Sequence, residues 1–207
     1  MMNVQKNCVW YKMKYAAIMA DPCWPYAKPM AIVGNGGRGK SNIENIIQVN
    51  VEAHYNTMSV DDIKNLPVQS LAEKNSLLFL WTTNAFMAEA YEVAKAWNFI
   101  PKTILTYGKI KEDGTPSMKS GWWFRGATEH IVFATRGKPK RKNIAMPTLY
   151  LHPRTAHSVK PDVFYELVEK VSDGPYLELF ARRKRPGWHA WGNEIVSDID
   201  IESINSK

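Results

Sequence analysis

Residues 16–24 read AAIMADPCW, an apolar run that ends in an aspartate and is followed at once by a proline. An unbroken apolar run predicts a strand covered on both faces, because a strand with one wet face alternates apolar and polar side chains. Pro22 has no N–H for the ladder, so we expect the strand to end at Asp21. The stretch therefore predicts a buried strand that ends with the Asp21 carboxylate at one edge of a sheet.

Segments with the same pattern recur along the chain, with helical patterns between them. Residues 84–97 and 161–171 each place apolar side chains on one helical face, with Asn84 as the expected N-cap of the first and Pro161 in the first turn of the second. Ser59 is expected to cap a further short helix. Alternating strands and helices predict an α/β domain with a mainly parallel sheet and helices on both faces. The other predicted strands are residues 76–81, 102–107, 130–135 and 176–181, and a sixth starts at residues 189–191.

The chain has 207 residues, which is long enough for one well-buried α/β domain and short for two. We expect a single domain over residues 1–195, with active-site loops at residues 25–54 and 109–126, and a flexible tail at residues 196–207. The two cysteines form no cluster with histidines at metal-ligand spacing, so neither a disulfide framework nor a metal site is predicted. The absence of a signal-peptide pattern and of a long apolar run predicts a cytoplasmic protein that does not enter a membrane.

The formal net charge of +7 suits a polyanionic partner such as nucleic acid, and it also suits a merely soluble protein. Basic residues concentrate in two runs, residues 136–142 and 182–185. A charged run is commonly a solvated face, whereas bound phosphates would add salt-dependent affinity. The loop at residues 119–125 adds aromatic side chains that either hold a base or pack beneath the loop. The candidate nucleic-acid contacts are Trp122, Trp123, Arg125, Lys138, Lys140, Arg141 and Lys142.

Residues 34–41 read GNGGRGKS and match a phosphate-binding loop, in which backbone amides and a lysine, here Lys40, cradle a nucleotide. Such a loop follows a buried strand, whereas only residues 30–33 precede this one. The magnesium ligand should come from a later strand that ends in an acid, but the clear strand with that ending, at Asp21, lies upstream. The context favours a flexible glycine-rich loop, with a nucleotidase as the alternative.

The turn at Asp21, Pro22 and Trp24 offers a carboxylate, a main-chain carbonyl and an aromatic face where open α/β sheets bind ligands. Methylation of the adenine amine needs that set, because the amine lone pair is delocalised into the ring. Two acceptors that hold both amine hydrogens favour a more nucleophilic nitrogen, while the aromatic ring stacks on the base. A sulfonium methyl donor is already activated, so positioning supplies most of the catalysis. The alternative is an ordinary strand-ending turn.

Two later elements are candidates for holding a cofactor, although each alone is equally typical of a turn or a helix start. Residues 176–182 read YLELFAR and form a strand that ends in polar residues, and a Gly-Asn-Glu turn with Asn193 and Glu194 comes later. These two side chains have the chemistry to bind ribose hydroxyls or an amino-acid end. Lys160 opens the helix at residues 161–171 and is suited to meet a carboxylate such as that of methionine.

Six ordered segments together resemble the MT-A family, the family of the catalytic subunit of the eukaryotic messenger-RNA adenosine methyltransferase, which also has prokaryotic and phage members that act on DNA. The segments are residues 16–24, 55–66, 78–97, 121–139, 157–166 and 178–194. The resemblance implies a Rossmann-like class I methyltransferase fold in permuted order, with the catalytic strand first, and S-adenosyl-L-methionine as cofactor. It implies catalytic roles for Asp21, Pro22 and Trp24, and cofactor contacts from Asp21, Pro22, Lys160, Phe180, Arg182, Asn193 and Glu194.

The chain departs from the family pattern in the same regions. Cys23 replaces the second proline of the Asp-Pro-Pro-Trp motif, which keeps the Pro22 carbonyl but makes the turn less rigid. Residues 183–185 lack the His-Asn pair that some relatives use for the cofactor ribose, and Glu194 stands where many relatives have glutamine. The loop at residues 25–54 is longer than in the eukaryotic catalytic subunit.

The resemblance implies methyl transfer to the N6 amine of adenine in nucleic acid. DNA is favoured over RNA, because the chain is compact and lacks the accessory zinc domain of the eukaryotic enzyme. An adenine inside a duplex would have to be flipped out. Methylation of RNA and a non-catalytic nucleic-acid-binding subunit of the same fold are the alternatives. Relatives often pair, so a homodimer is one expected arrangement.

Overall fold

The computed structural model describes residues 13–26, 57–119, 123–142, 144–154 and 160–201. The strands in these ranges are β1 (Tyr15–Ala20), β2 (Ala72–Thr82), β3 (Ile100–Ile110), β4 (Thr128–Arg136), β5 (Leu149–Pro153), β6 (Tyr176–Leu179) and β7 (Trp188–Trp191). The helices are α1 (Val60–Asn65), α2 (Val68–Leu71), α3 (Met87–Ala96) and α4 (Asp162–Val171), and a short 3-10 helix spans Asn84–Phe86.

The strands form one sheet in the order β5-β3-β4-β2-β1-β6-β7. β1 pairs in parallel with β2 and β6, β6 pairs in parallel with β7, and β3 pairs in parallel with β5. Among the described strands, only β4 runs antiparallel to its neighbours, β2 and β3. The predicted Rossmann-like α/β fold with a mainly parallel sheet is confirmed, and the strand that carries Asp21 lies inside the sheet.

Side chains of the central strands alternate between the two faces of the sheet, because successive residues of a strand point in opposite directions. Ile18 and Ala20 of β1 pack in the core that α1, α2 and α3 cover. Ala17 and Met19 of β1 pack in the core on the opposite face, with Phe164 of α4. Both faces are covered by helices, which explains why the sequence of β1 is apolar without a break.

All predicted strands occur with small shifts of their ends, and β5 is a strand that the sequence does not predict. It reads LYLHP, lies at one edge of the sheet, and leaves Leu149 and Leu151 more than half exposed. A short edge strand with exposed leucines lacks the continuous apolar run that marks the covered strands. The prediction missed β5 because its pairing with β3 is a tertiary contact.

Helix starts agree with the predictions at two places and differ at one. The Ser59 hydroxyl caps α1 and accepts a hydrogen bond of 3.0 Å from the Asp62 N–H, and α4 begins directly after Pro161. The predicted N-cap Asn84 instead lies inside the 3-10 helix, and α3 begins at Met87 without a capping side chain. The tighter first turn takes the place of a side-chain cap, which is common at helix N-termini.

The chain after β7 returns to the core. Ile199 and Ile201 are buried, and the Asp198 carboxylate accepts a hydrogen bond of 3.0 Å from the Ala190 N–H. Residues 196–201 therefore make contacts that the expected flexible tail would not make, while residues 202–207 lie outside the described part of the chain. The pattern at residues 34–41 and nearly all of the predicted loop at residues 25–54 also lie outside it. No helix in the described ranges is long and apolar enough to cross a membrane.

The pairing directions bring distant parts of the sequence to one edge of the sheet, here called the carboxyl edge. Because all strands but β4 point the same way, the residues that follow them meet there, including Asp21, Phe180 and Gly192. β4 is antiparallel, so its first residues, including Glu129, lie at the same edge. The opposite edge, here called the far edge, carries Arg136 at the end of β4. In open α/β sheets ligands bind outside the carboxyl ends of the strands.

Candidate active site

The turn after β1 is held to its surroundings by main-chain hydrogen bonds. The Asp21 N–H donates to the Leu179 carbonyl of β6 at 3.4 Å, and the Cys23 carbonyl accepts from the Met58 N–H at 3.1 Å. The Pro22 carbonyl accepts from the Trp24 N–H at 2.9 Å, which uses one of its two lone pairs. These bonds fix the turn without the second proline of the family motif, and the Pro22 carbonyl keeps acceptor capacity.

Lys160 joins two carboxylates at the carboxyl edge. Its ammonium lies 3.0 Å from Asp21 Oδ2 and 3.1 Å from Glu129 Oε2, and 4.4 Å from the centre of the Trp81 ring. Glu129 also pairs with Lys109. The four side chains carry two positive and two negative charges, so the buried cluster is neutral and each charge has a partner.

The charges of Lys160 and Glu129 are held firmly at neutral pH. Burial by itself lowers the pKa of Lys160, but the Asp21 and Glu129 carboxylates outweigh it and raise that pKa. Burial by itself raises the pKa of Glu129, but Lys160 and Lys109 outweigh it and lower that pKa to about 2. Glu129 is therefore a permanent anion rather than a proton acceptor, and it keeps Lys160 a cation.

A small cavity of about 50 Å³ opens beside Asp21. Glu178 of β6 lies in its wall and accepts a hydrogen bond of 2.9 Å from the Tyr165 hydroxyl. Burial raises the pKa of Glu178 to about 7, the Tyr165 hydrogen bond opposes this rise, and the nearby Asp21 carboxylate adds to it. The lining residues are Asp21, Lys160, Tyr165, Glu178, Phe180, Arg182 and Arg183.

Phe180 lines this cavity, and Gly192 packs against Ala181, the residue that follows Phe180. Phe180 adopts φ 64°, a left-handed conformation that is strained for an aromatic residue, and its ring contacts the Trp191 ring edge to face at 5.3 Å. A side chain at Gly192 would place its Cβ 2.0 Å from the Ala181 carbonyl oxygen, so only glycine fits this approach. The ends of β6 and β7 are therefore locked together.

The predicted cofactor residues Arg182, Asn193 and Glu194 are brought together by this packing. Arg182 Nη1 lies 3.0 Å from Glu194 Oε1, and Asn193 and Glu194 lie in the exposed turn that follows β7. Of the predicted cofactor residues, Asp21, Lys160, Phe180 and Arg182 line the cavity. Glu194 is joined to the cavity only through its ion pair with Arg182, and the cofactor roles of these residues stay predictions.

Trp24 is more buried than the sequence predicts. Only 4% of it is exposed, its indole N–H donates to the Trp81 carbonyl at 3.1 Å, and Phe86 stacks on it at 5.4 Å. Stacking of Trp24 on a base stays a prediction, and in this conformation the ring is part of the core. Tyr26 lies next to it with 51% exposed, and its hydroxyl donates to Thr83 Oγ1 at 2.9 Å.

The predicted nucleic-acid residues do not form one surface. Trp123 is 93% exposed and Arg125 is exposed on the loop between β3 and β4, whereas Trp122 lies outside the described residues. The run at residues 136–142 follows the end of β4 and lies at the far edge, where the Lys138 N–H donates to Asn75 Oδ1. The carboxyl edge and the far edge are separated by roughly 24 Å, the length of β4 from Glu129 to Arg136.

The second basic run, residues 182–185, is neutralised within the protein. Arg182 pairs with Glu194 and Lys184 with Asp198. Arg183 pairs with Asp162, and Arg185 pairs with both Asp162 and Glu169. Lys142 of the first run is also engaged, since its ammonium lies 2.5 Å from Asp173 Oδ1 and donates to the Ser172 carbonyl at 3.0 Å. Arg183 and Arg185 thus join the chain after β6 to α4. The sequence alone does not distinguish such internal ion pairs from phosphate contacts.

Sequence reasoning missed four residues of the site: Lys109, Glu129, Glu178 and Tyr26. Glu129 and Glu178 interrupt or precede apolar strand patterns, and a charged residue next to a covered strand is a signal that it is paired or functional. No local sequence pattern predicts Lys109 as a site residue, because its partner Glu129 is twenty residues away on an antiparallel strand. No such pattern predicts Tyr26 either, since it follows the turn and belongs to no periodic element.

This fold and this edge of the sheet define a Rossmann-like class I methyltransferase that uses S-adenosyl-L-methionine. The chain belongs to the MT-A70 family, a family of N6-adenine methyltransferases, whose model matches residues 15–194. The match covers the turn at Asp21, the Lys109–Glu129–Lys160 cluster and the rim at Glu194.

Relatives of the chain include proteins from bacteria, plants and animals. It is 27% identical over 191 residues to the type II methyltransferase M.MunI of a Mycoplasma species, covering 89% of this chain and 79% of that protein. It is 27% identical over 188 residues to a putative N(6)-adenosine-methyltransferase MT-A70-like of Medicago truncatula, covering 88% of this chain and 26% of that protein. It is 27% identical over 216 residues to the human N(6)-adenine-specific methyltransferase METTL4, covering 90% of this chain and 38% of that protein. The chain therefore spans most of the Mycoplasma relative but only a minor part of the plant and human ones.

Proposed function

We propose that this protein transfers a methyl group from S-adenosyl-L-methionine to the N6 amine of adenine in DNA. The observation that carries the proposal is the state of Asp21. One carboxylate oxygen is held by Lys160 at 3.0 Å, and Asp21 lines the cavity at the carboxyl edge. The Asp21 carboxylate and the carbonyl of the next residue, Pro22, are the two acceptors that we expect to hold the amine next to the cofactor.

The residues around the cavity fit the amino-acid end of the cofactor. That end carries a carboxylate and an ammonium, and the cavity offers the Lys160 ammonium on one side and the Glu178 carboxyl on the other. Lys160 would hold the carboxylate, Glu178 would accept from the ammonium, and Arg182, Asn193 and Glu194 would bind toward the ribose. When bound, S-adenosyl-L-methionine supplies an activated methyl group on a sulfonium.

Asp21 and Pro22 would hold the target amine. The other carboxylate oxygen of Asp21 and the second lone pair of the Pro22 carbonyl would each accept one amine hydrogen, which would make the nitrogen lone pair available for in-line attack. Lys160 would hold Asp21 in place through its ion pair, and Glu129 would hold Lys160, so these two act as positioning residues. Asp21 is also the nearest acceptor for the proton that the amine must lose.

Tyr26 is the aromatic side chain that we expect to stack on the adenine. It is half exposed at the carboxyl edge, whereas Trp24 is buried beneath Phe86. The Tyr26 ring is braced edge to face against Phe86 at 5.0 Å and by its hydrogen bond to Thr83. Burial raises the pKa of Tyr26, the hydrogen bond with Thr83 opposes this rise, and the Glu129 and Asp21 carboxylates add to it.

DNA as the substrate is supported by the Mycoplasma relative, which is named a type II methyltransferase and which this chain matches over most of its length. RNA is the second candidate, because the relative from Cryphonectria parasitica is named an N6-methyladenosine RNA methyltransferase and is 27% identical over 139 residues. A duplex substrate would require the adenine to be flipped out of the stack. We also propose a cytoplasmic protein that pairs as a homodimer, which light scattering of the purified chain tests.

Transfer of a tritiated methyl group from S-adenosyl-L-methionine to DNA and to RNA tests the proposal, with Asp21→Ala and Asp21→Asn as variants. We expect both to lower the rate about 100-fold or more, because a group that positions the reacting atom is lost. Asp61→Ala, which removes an exposed acid of α1, is the matched control and should keep the rate. Transfer that survives both Asp21 substitutions contradicts the assignment, and preference for RNA overturns the choice of DNA. Loss of transfer in Lys40→Ala alone would revive the phosphate-loop alternative.

A further inference from the structure

The far edge of the sheet carries a basic surface that the reaction at Asp21 does not use. Lys138, Lys140 and Arg141 follow the end of β4, and Lys74 of β2 lies beside them. All four side chains belong to exposed residues. We refer to these four residues as the far-edge basic surface.

The far-edge basic surface is built on rigid backbone. Gly137 adopts φ 63°, and a Cβ there would lie 2.3 Å from the Lys74 carbonyl oxygen, so the chain passes directly over the start of β2. The Lys138 N–H donates to Asn75 Oδ1 at 2.9 Å, and Pro139 restricts the backbone between the two lysines. The lysines therefore project from a fixed position, which lowers the entropy lost when they bind a ligand.

Cations outnumber carboxylates at this surface. Among the described residues, Glu73 and Asp173 are the carboxylates that line the same cavity as Lys138 and Lys140. Asp173 is paired with Lys142 at 2.5 Å and also attracts Lys140, but no carboxylate of the described residues forms an ion pair with Lys138, Lys140 or Arg141. The run at residues 182–185 differs, because each of its four cations has a carboxylate partner. Of the two basic runs, only the one at the far edge has cations that form no ion pair with a carboxylate in the described part of the chain, and these cations are able to bind a polyanion.

A cavity of about 270 Å³ adjoins this surface. Lys138 and Lys140 line it on one side, and Asn75 and Ser172 add polar groups. Its volume and lining suit a phosphate group with its hydration rather than an apolar ligand. Glu73 and Asp173 also line the cavity, so the site would favour a diester, which carries one charge, over a more highly charged phosphate monoester.

We propose that the far-edge basic surface binds the phosphate backbone of a single-stranded flank of the nucleic-acid substrate. The inference rests on the proposed function for the nature of the polymer. The surface lies roughly 24 Å from Glu129, and duplex DNA is stiff over about 150 base pairs, so a duplex seated at the carboxyl edge does not bend around the domain. A single strand is flexible enough to reach both edges.

The test compares strand lengths by fluorescence anisotropy. Labelled single strands of about 5 and about 40 nucleotides carry the same adenine at their centre. At about 3.4 Å per stacked nucleotide, the two nucleotides on each side of the adenine in the short strand reach only about 7 Å, so only the longer strand reaches the far edge. We expect K138E/K140E to weaken binding of the long strand about tenfold and to leave the short strand within twofold. The slope of log affinity against log salt for the long strand should become shallower by about 1.4, because two phosphate contacts are lost.

K111E/R125E is the control variant, since it removes the same charge from exposed residues of the loop at the carboxyl edge. We expect it to weaken the short and the long strand alike. Equal weakening of both strands by K138E/K140E, or no weakening of the long strand, overturns the inference. A 40-base-pair duplex whose affinity falls as much as that of the long single strand also overturns it. Methyl transfer to the short strand is measured in parallel, so that loss of the proposed activity is seen separately from loss of far-edge binding.

Discussion

Glu129 offers a test of the charge cluster, because its carboxylate is held between Lys160 and Lys109. Its pKa falls from an ordinary value of 4.5 to about 2 as a result of these two ammonium groups acting against burial. A pKa lowered by that amount corresponds to about 3 kcal/mol of folding stability at neutral pH. Its side chain is only 17% exposed, so solvent screens the interaction weakly.

The perturbation is Glu129→Gln, which keeps the shape and removes the charge. The folded state favours the ionised carboxylate, so the stabilisation is fully present above the ordinary pKa of 4.5 and is lost as the pH falls toward about 2. At pH 7 we expect the free energy of unfolding of the variant to be about 3 kcal/mol lower than that of the parent protein. In acid the two free energies of unfolding should become similar.

Urea denaturation of both proteins across a pH series measures this difference. Glu112→Gln, in an exposed part of the loop after β3, is the control and should stay within about 0.5 kcal/mol of the parent at every pH. A Glu129→Gln protein as stable as the parent at pH 7 would refute the reasoning. A loss that does not change with pH would also refute it, because it would show a packing effect rather than a charge effect.

Three further changes test the cofactor and substrate contacts. The pKa of Glu178 is about 7 and its ionised form would bind the cofactor ammonium, so we expect the affinity of the parent protein for S-adenosyl-L-methionine to rise as the pH passes through about 7. In Glu178→Gln this rise should disappear, which calorimetric titration on both sides of that pH measures. In Gly192→Ala, the new Cβ meets the Ala181 carbonyl at 2.0 Å, so we expect thermal denaturation to show a loss of about 1–3 kcal/mol. Tyr26→Ala should raise the KM for nucleic acid about tenfold, whereas Tyr26→Phe should keep it, since stacking on a base contributes about 1–3 kcal/mol; equal effects of the two substitutions would contradict stacking.

The sequence by itself was sufficient for the elements whose signal is local. The strand that ends at Asp21, the cap at Ser59 and the helix after Pro161 were predicted because apolar periodicity, capping hydroxyls and proline act over a few residues. The edge strand β5 was not predicted, since its exposed leucines give no covered-strand pattern and its identity depends on pairing with β3.

The residues of the candidate site also fall into those that sequence motifs predicted and those that depend on tertiary contacts. Asp21 and Lys160 were predicted from motifs, and the structure places them 3.0 Å apart. Glu129 escaped prediction because it reaches Lys160 only through the antiparallel direction of β4. The burial of Trp24 beneath Phe86 was also not predicted from the sequence, since it depends on how the 3-10 helix packs over the turn.

The sequence determined an α/β chain, the order of its strands along the polypeptide and the residue types that carry the chemistry. Tertiary structure decided which charges face each other. In the folded chain, residues 182–185 pair with carboxylates, and the lysines at 138 and 140 lie at the edge away from Asp21. Lys109, Glu129 and Lys160 belong to one neutral cluster. The physical reason is that charge interactions depend on distance in space and on burial, and neither quantity is written in the local pattern of a sequence.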